Sequence, residues 1–408
     1  MSGALSGIRV IDLSQMWAGP GTAMYLADHG ADVIKVEPLA GDTARVTFTQ
    51  APVGGGESRA FLPLNRNKRG MALDIRHARG RDILLALLRG ADVLLHNFRP
   101  GVAERLGYDY PTLQALNPRL VYAWITAYGI EGPYAQQPGY DLLFQALSGI
   151  LARRRRHDGP PLPAGVWVAD CSAPMELAYG IALALLERER TGRGQMVTTS
   201  LLHAALGMQI PDLVSVETAP PAADGPDYAA QAMYAPYRCG DGRYLMIVVV
   251  QNEEWRRLCQ ALGHADLAED PTYAGPLDRA RESARLSAML TEAFAARDRD
   301  EWVRVLAEHD VPSAPVLEPE EVFAYPQLAA NAMLTVMTHP LAGRATTVAS
   351  PVRLHGAEPT VPTATRPAPL LGEHTEAILR ELGYSAADVR ELEEAGVVRC
   401  APRRAESS

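Results

Sequence analysis

Apolar and polar positions alternate along the first two hundred residues in a way that predicts strands and helices in regular succession. Short apolar runs, typical of buried parallel strands, are each followed by a segment with apolar positions at helical spacing. We assign strands to residues 8–13, 32–37, 92–95 and 120–126 and helices to residues 22–29 and 80–89. Repeated βαβ units of this kind predict an α/β fold with a doubly wound parallel sheet, whose ligand binds at the carboxyl ends of the strands.

The pattern changes after residue 207, where the first part of a large domain is expected to end. Residues 208–236 are rich in Pro, Ala and acidic side chains and predict a linker. A smaller α+β domain is predicted over residues 237–325. Residues 326–400 are expected to return to the large domain, and residues 401–408 to form a flexible tail.

Composition and charge exclude several function classes. The 408 residues include 39 basic and 48 acidic side chains, and the net charge of −9 argues against nucleic-acid or anionic-membrane binding. The four cysteines are far apart and form no CxxC pair, so we expect neither a metal site nor a disulfide framework. The N-terminus lacks the regions of a signal peptide, and Glu176 interrupts the most apolar helical run, so a cytoplasmic protein is expected.

One carboxylate, Asp170, stands at the boundary between a predicted apolar strand and a predicted apolar helix. Ser172 is expected to cap that helix, Pro174 to lie in its first turn, and residues 175–186 to be buried. The N–H groups and the positive dipole end of the helix are expected to keep Asp170 ionised. An ionised aspartate can attack an activated carbonyl and form an acyl-enzyme. The structural alternative is that Asp170 only caps the helix or pairs with a buried base.

Three loops at predicted strand ends carry candidate binding groups. Residues 19–24, with Glu37 after the next strand, partly match a dinucleotide-binding loop, but a methionine occupies the third glycine position. Residues 65–69 (NRNKR) supply cations and amides that can clamp phosphates. Residues 97–101 (NFRPG) with Arg105 place an aromatic face and two guanidinium groups where adenine and phosphates can bind.

Nine short motifs lie in the order in which they occur in one known family. They are residues 5–13 (LSGIRVIDL), 18–20 (AGP), 30–37 (GADVIKVE), 65–69 (NRNKR), 97–101 (NFRPG), 116–120 (LNPRL), 138–141 (PGYD), 191–195 (TGRGQ) and 371–375 (LGEHT). With these motifs the chain resembles the class III (CaiB/BaiF-type) CoA-transferases, which include formyl-CoA:oxalate and carnitine CoA-transferases and are related to α-methylacyl-CoA racemases. The resemblance implies a Rossmann-like large domain built from both chain ends, a small α+β domain, and an interlocked, ring-shaped homodimer.

The resemblance also implies roles for individual residues, with Asp170 as the catalytic aspartate. The residues expected to contact CoA are Ala18, Leu73, Asn97, Phe98, Arg99 and Arg105. Tyr140 and Asp141 are expected at the catalytic site with Asp170, where they shape the acceptor pocket, and Gln15 and Trp17 are expected in the substrate pocket. Trp17 stands where formyl-CoA transferases carry Gln, so we expect the preferred acceptor acid to have an apolar or aromatic portion. Residues 153–157 (RRRRH) replace a small turn of the family, and an exposed basic loop is favoured there over an anion site.

The implied function is transfer of CoA from an acyl-CoA to a free carboxylic acid through an aspartyl anhydride and an aspartyl-CoA thioester. CoA is the expected cofactor, without NAD or metal. Racemases carry an acid/base His at the position of Tyr140, and the phenol found here disfavours racemisation; a racemase-like isomerase is the first alternative. A CoA-binding protein with impaired catalysis is the second alternative, and an NAD oxidoreductase ranks last.

Overall fold

The computed structural model describes residues 3–47, 53, 58–154, 159–215, 217, 231–355 and 366–402. They divide into two units. The first holds the described residues up to Val214 and from Leu328 onward, and the second holds those between Ser215 and Gln327. Residues 218–230 of the predicted linker and 403–408 of the predicted tail lie outside the described residues.

The described residues contain twelve strands and eighteen helices. In chain order the strands are β1 (Arg9–Asp12), β2 (Asp32–Glu37), β3 (Arg69–Leu73), β4 (Val93–His96), β5 (Val121–Thr126), β6 (Met196–Ser200), β7 (Pro236–Arg238), β8 (Tyr244–Ile247), β9 (Ser313–Pro315), β10 (Leu334–His339), β11 (Gly343–Val348) and β12 (Val398–Arg399). The helices are α1 (Ala18–Asp28), α2 (Phe61–Leu64), α3 (Ala78–Arg89), α4 (Val102–Leu106), α5 (Tyr110–Leu116), α6 (Asp141–Leu147), α7 (Ile150–Arg153), α8 (Val168–Thr191), α9 (Leu201–Gly207), α10 (Asn252–Leu262), α11 (Ala265–Ala268), α12 (Pro276–Arg281), α13 (Ser283–Phe294), α14 (Arg299–Glu308), α15 (Pro319–Val322), α16 (Pro326–Ala330), α17 (Thr375–Glu381) and α18 (Ala386–Glu394).

A seven-stranded sheet forms the centre of the first unit, in the order β12–β3–β2–β1–β4–β5–β6. Every neighbouring pair is parallel except β12 with β3. In the register of the central strands, Val10 of β1 lies opposite both Val33 of β2 and Val93 of β4. The sheet confirms the predicted Rossmann-like architecture. Its strand order reverses between β1 and β4, which is where such sheets open a crevice for a ligand.

Helices cover both faces of this sheet, because its strands are apolar on both sides. On one face α3, α17 and α18 contribute buried residues such as Leu84, Ile378 and Leu392. On the other face α1, α8 and α9 contribute residues such as Leu26 and Ile181. The C-terminal helices therefore complete a layer that the N-terminal part of the chain begins.

The second unit is built on a three-stranded antiparallel sheet in which β8 lies between β7 and β9. Trp255 of α10, Phe294 of α13 and Trp302 of α14 are almost fully buried against it. The rings of Phe294 and Trp302 meet edge to face, with their centroids 5.2 Å apart. This unit therefore has a hydrophobic core of its own.

Two predictions about local structure at the candidate site were wrong. The helix assigned to residues 22–29 begins earlier, because α1 starts at Ala18 and Trp17 is its N-cap residue. The apolar segment before Asp170 is not a strand, because α8 begins at Val168. Ser172 is consequently not the N-cap; its hydroxyl donates to the carbonyl of Val168 at 2.8 Å. Pro174 lies inside the helix and not in its first turn. A short apolar run does not distinguish a strand from the first turn of a buried helix.

Helix α8 is also less buried than its composition predicts. Ala173 and Ile181 face the sheet and are fully buried, whereas Tyr179 and Leu186 are 67% and 62% exposed. Among the described residues α8 is the one helix with the length and apolar composition of a membrane span. One side of it packs in the core, and the other presents an apolar stripe to the surface.

Candidate active site

A cleft of about 780 Å³ opens at the carboxyl ends of β1, β4 and β5, beside the point where the strand order reverses. Nine of the eleven predicted site residues line it. They are Gln15, Trp17, Ala18, Asn97, Phe98, Arg99, Tyr140, Asp141 and Asp170. The structure therefore brings together groups that lie on four separate segments of the sequence.

The two remaining predicted residues, Leu73 and Arg105, do not line the cleft. Leu73 lies in β3 and is 1% exposed within the hydrophobic core, so its side chain has no access to a ligand. Arg105 lies on α4 and is exposed. Its guanidinium extends back along the loop, so that a Cβ built on Gly101 would lie 3.3 Å from Arg105 Nη1. Arg105 is thus near Pro100, which does line the cleft.

The loop after β1 is held in place by a buried ion pair. Lys35 Nζ donates to Asp42 Oδ2 at 2.8 Å and to the carbonyl of Ser14 at 3.0 Å. Asp42 Oδ1 in turn accepts from the backbone N–H of Met16 at 3.1 Å. Met16 has a φ of 68°, a left-handed conformation that costs energy in a non-glycine residue. These contacts fix the backbone that presents Gln15 and Trp17 to the cleft.

Cationic side chains of the basic run at residues 65–69 pair with buried groups inside the fold and not with a phosphate. Arg66 pairs with Asp28 at 2.6 Å, and both side chains are buried. Lys68 Nζ donates to Asp12 Oδ2 and to the carbonyl of Pro20, both at 2.9 Å. The interpretation of this run as a phosphate clamp was therefore wrong. Buried charges need partners inside the fold, and these cations have them.

Two arginines of the basic run at residues 153–157 also make contacts within the fold. Arg153 pairs with Asp212 at 2.9 Å, and Arg154 Nη1 donates to the carbonyl of Ala164 at 2.6 Å. Residues 155–157 lie outside the described residues. Arg154 thereby contacts the segment that leads to Trp167 and Asp170.

Asn97 joins the two loops on either side of the strand-order reversal. Its Nδ2 donates to the carbonyl of Gln15 at 2.8 Å, and its Oδ1 accepts from the N–H of Gln15 at 3.1 Å. A hydrogen bond also holds the backbone of the next residue, Phe98, whose carbonyl accepts from Trp124 Nε1 at 2.8 Å. Asn97 is therefore a positioning residue in this structure, because both ends of its amide are used by backbone.

Asp170 lies in the first turn of α8, and that turn is capped from another helix. The N-cap residue, Trp167, makes no side-chain cap hydrogen bond. Asp141 of α6 takes this role, because its Oδ1 accepts from the N–H groups of Ala169 at 2.6 Å and Asp170 at 3.1 Å. Asp141 is itself buried, and its Oδ2 accepts from Gln145 Nε2 at 2.5 Å. Asp141 thus positions the candidate nucleophile through its backbone.

The ionisation state of Asp170 differs from the expectation. Burial raises the pKa of Asp170 to about 7, and the negative charge of Asp141 adds to the rise. The helix N–H groups that were expected to favour the charged form already bind Asp141. Asp170 consequently exchanges its proton near neutral pH, and its carboxylate form is a poorly solvated, reactive base and nucleophile.

Two tryptophans stand together in the cleft, one predicted and one not. Trp17 and Trp167 have ring centroids 5.4 Å apart and an interplanar angle of 77°. They are the N-cap residues of α1 and α8, two helices that cross closely. A Cβ on Gly21 would lie 3.1 Å from Pro174 Cγ, so the close approach depends on this glycine. Sequence reasoning missed Trp167, although its place three residues before Asp170 was the available signal.

The described residues offer no group of three or more His, Cys, Asp or Glu side chains arranged to hold a metal ion. The chemistry available in the cleft is that of the half-buried carboxylate of Asp170, aromatic rings and backbone groups. Arg99 is the one lysine or arginine among the described residues that line the cleft. The arrangement suits nucleophilic attack by Asp170 on an acyl group whose carrier extends toward Phe98 and Arg99.

A family comparison covers nearly the whole chain. The model of CoA-transferase family III matches residues 5–375. This chain belongs to CoA-transferase family III. Membership confirms the resemblance based on the sequence motifs, and the protein is an enzyme of the CoA-transferase class that uses CoA as a substrate.

Relatives within the family align over almost their full length. A formyl-CoA:oxalate CoA-transferase of Streptomyces coelicolor is 33% identical, over 97% of this chain and 99% of that protein. An acyl-CoA transferase of Fusarium pseudograminearum is 34% identical, over 97% of this chain and 88% of that protein. A CaiB/BaiF family protein of Brucella suis has a solved structure similar to this one, with a TM-score of 0.81 and 32% identity over 94% of this chain and 100% of that one. Rv3272 of Mycobacterium tuberculosis has a TM-score of 0.80 and 30% identity over 92% of this chain and 99% of that one.

Proposed function

We propose that this CoA-transferase moves CoA between two carboxylic acids through covalent intermediates on Asp170. The observation that best supports this proposal is the position of the Asp170 carboxylate. It lies in the cleft and in the first turn of α8, and the backbone N–H of Asp170 donates to Asp141. A free carboxylate presented to a bound thioester can attack its carbonyl carbon. Membership of the family implies that the substrate is a CoA thioester, and the position of Asp170 supports its role as the nucleophile.

The proposed reaction has four steps. Asp170 Oδ attacks the thioester carbonyl of the donor, the C–S bond breaks, and a mixed anhydride and CoA thiolate form. The thiolate attacks the Asp170 carbonyl, which releases the donor acid and leaves an aspartyl-CoA thioester. The acceptor carboxylate attacks this thioester to form a second anhydride, and the thiolate then attacks the acceptor carbonyl to release acyl-CoA and restore Asp170. Each step conserves an activated acyl bond, so water must be kept from the cleft.

We assign CoA to the side of the cleft formed by the loop after β4. Phe98 offers an aromatic face to adenine, and Arg99 and Arg105 offer guanidinium groups to phosphates. Asn97 keeps this loop in register with Gln15. Tyr140, the N-cap residue of α6, lines the acceptor side together with Trp17.

Trapping the covalent intermediate tests this proposal. The protein is incubated with acyl-CoA and then hydroxylamine, and the expected product is a hydroxamate on Asp170 alone, detected by mass spectrometry of peptides. Asp170→Ala should abolish transfer while CoA binding, measured by calorimetry, is retained. Asp266→Ala, at an exposed position outside the cleft, is the matched control. Retention of more than a few per cent of activity in Asp170→Ala would exclude the anhydride mechanism.

We further propose that the enzyme is a homodimer. Tyr179, Leu183 and Leu186 form an apolar stripe at helical spacing on the surface of α8, and Ile210 after α9 is 73% exposed. Contiguous exposed apolar groups of this kind mark an interaction surface. Light scattering should give the mass of two chains, and Leu183→Asp should lower it. The interlocked arrangement and the cytoplasmic location stay predictions.

A further inference from the structure

The wall of the cleft near Asp170 is aromatic and apolar. Trp17 and Trp167 meet there edge to face, and their positions are fixed by the crossing of α1 and α8. Further apolar residues of the lining are Met16, Ile125, Ala127, Leu142 and Leu201. Aromatic rings prefer to pack edge to face or offset on other rings, so this wall favours a planar apolar group.

The charges in the cleft are of unequal number. Asp141 and Asp170 are acidic, and Arg99 is the one basic side chain among the described lining residues. Arg99 lies next to Phe98, on the side that we assign to the CoA phosphates. A second carboxylate placed beside these two acidic groups would be repelled by both of them. An unpaired charge in a poorly solvated site is strongly unfavourable.

Buried polar groups in this region are already engaged. Asp141 uses both of its oxygens for Ala169, Asp170 and Gln145, so it offers no further binding capacity without breaking those bonds. Burial and the charge of Asp141 raise the pKa of Asp170 to about 7, as expected where the surroundings disfavour negative charge. The acyl site thus disfavours acids with two negative charges and favours acids with apolar groups.

From these observations we infer that the acid exchanged at Asp170 is a monocarboxylic acid with an aromatic or similarly large planar apolar body. This body packs on the Trp17–Trp167 pair, and Trp167 is therefore a specificity-determining residue. The inference rests on the proposed transfer mechanism and names its substrate class. It separates this chain from the relatives named for oxalate, a small dianion.

Isotope exchange between an acid and its own CoA thioester tests this without knowledge of the second substrate. Labelled phenylacetate is incubated with phenylacetyl-CoA, and labelled succinate with succinyl-CoA, at pH 8. We expect kcat/KM for phenylacetate exchange to exceed that for succinate by about a hundredfold. Trp167→Ala should reduce phenylacetate exchange about tenfold, or ~1.4 kcal/mol, and leave exchange of acetate into acetyl-CoA within about twofold.

Two further variants make the readout specific. Trp167 makes no side-chain cap hydrogen bond, so Trp167→Ala removes ring contacts and not a helix cap. Trp167→Phe should retain most of the preference, because it keeps a planar ring. Tyr244→Ala removes an exposed ring in the second unit and should leave both exchange rates unchanged.

The outcomes are distinguishable. Exchange of succinate as fast as phenylacetate, or equal losses for phenylacetate and acetate in Trp167→Ala, would overturn the substrate class while leaving the mechanism standing. Absence of exchange with every acid, together with no hydroxylamine adduct, would overturn the proposed function and this inference with it.

Discussion

Lowering the pH from 8 to 5 should switch off acyl transfer, because it protonates the nucleophile. Burial and the neighbouring charge of Asp141 raise the pKa of Asp170 to about 7, so the reactive carboxylate is lost as the pH falls through that value. An exposed aspartate, with a pKa near 3.8, would stay charged over the whole range. The activity profile therefore reports directly on the environment of Asp170.

The magnitude follows from the ionised fraction. With a pKa of about 7, roughly 90% of Asp170 is ionised at pH 8 and roughly 1% at pH 5, so kcat/KM for acyl-CoA should fall about ninetyfold. With the unshifted value of 3.8, roughly 94% would still be ionised at pH 5, and the rate would hardly change. The two cases differ by almost two orders of magnitude.

The assay is the initial rate of CoA transfer from pH 5 to 8.5 at low acyl-CoA concentration. Phosphate groups of CoA titrate near pH 6 as well, so the same profile is measured with an S-acyl pantetheine, which has none. Asp141→Asn keeps an amide oxygen that can accept from the N–H groups of Ala169 and Asp170 but removes the charge, so the fall in rate should move to lower pH. Asp82→Asn, at an exposed position on α3, should leave the profile unchanged.

A flat profile between pH 5 and 8 would refute the reasoning, because it would mean that Asp170 is well solvated in the enzyme. A fall that stays in place in a correctly folded Asp141→Asn variant would show that Asp141 does not contribute to the shift.

Three further substitutions test how the cleft is built. Arg105→Ala should raise KM for acyl-CoA about tenfold with little change in kcat, because a phosphate contact is made equally in the ground and transition states; an unchanged KM would place the nucleotide elsewhere. Asn97→Ala removes both hydrogen bonds to the Gln15 backbone and should lower the unfolding free energy by ~1–3 kcal/mol, measured by denaturant titration, and raise KM as well. Gly19→Ala would place a Cβ 2.2 Å from Ser14 Cβ, so it should cost ~1–3 kcal/mol in the same titration, whereas an unaltered midpoint would show that the loop after β1 can move.

The sequence by itself determined the class of the fold and four strands of its large sheet, which are β1, β2, β4 and β5. Residues 32–37 were predicted as a strand, and β2 has those bounds. This succeeds because the apolar runs of buried parallel strands and the spacing of amphipathic helices are local signals. The position of the cleft followed as well, since parallel sheets bind ligands where their strand order reverses. The choice of Asp170 depended on the resemblance to a family, because a single aspartate before an apolar helix has no unique meaning.

Only the tertiary structure decided what surrounds that aspartate. Asp141 caps α8 from 28 residues away, and Arg66 pairs with Asp28 across 38 residues. Such contacts leave no trace in local composition, so the basic run at residues 65–69 resembled a solvent-facing anion site until its partners were known. The raised pKa of Asp170 and the pairing of Trp17 with Trp167 have the same origin. Dielectric environment and ring contacts depend on which segments pack together, and that is a property of the folded chain and not of any one segment.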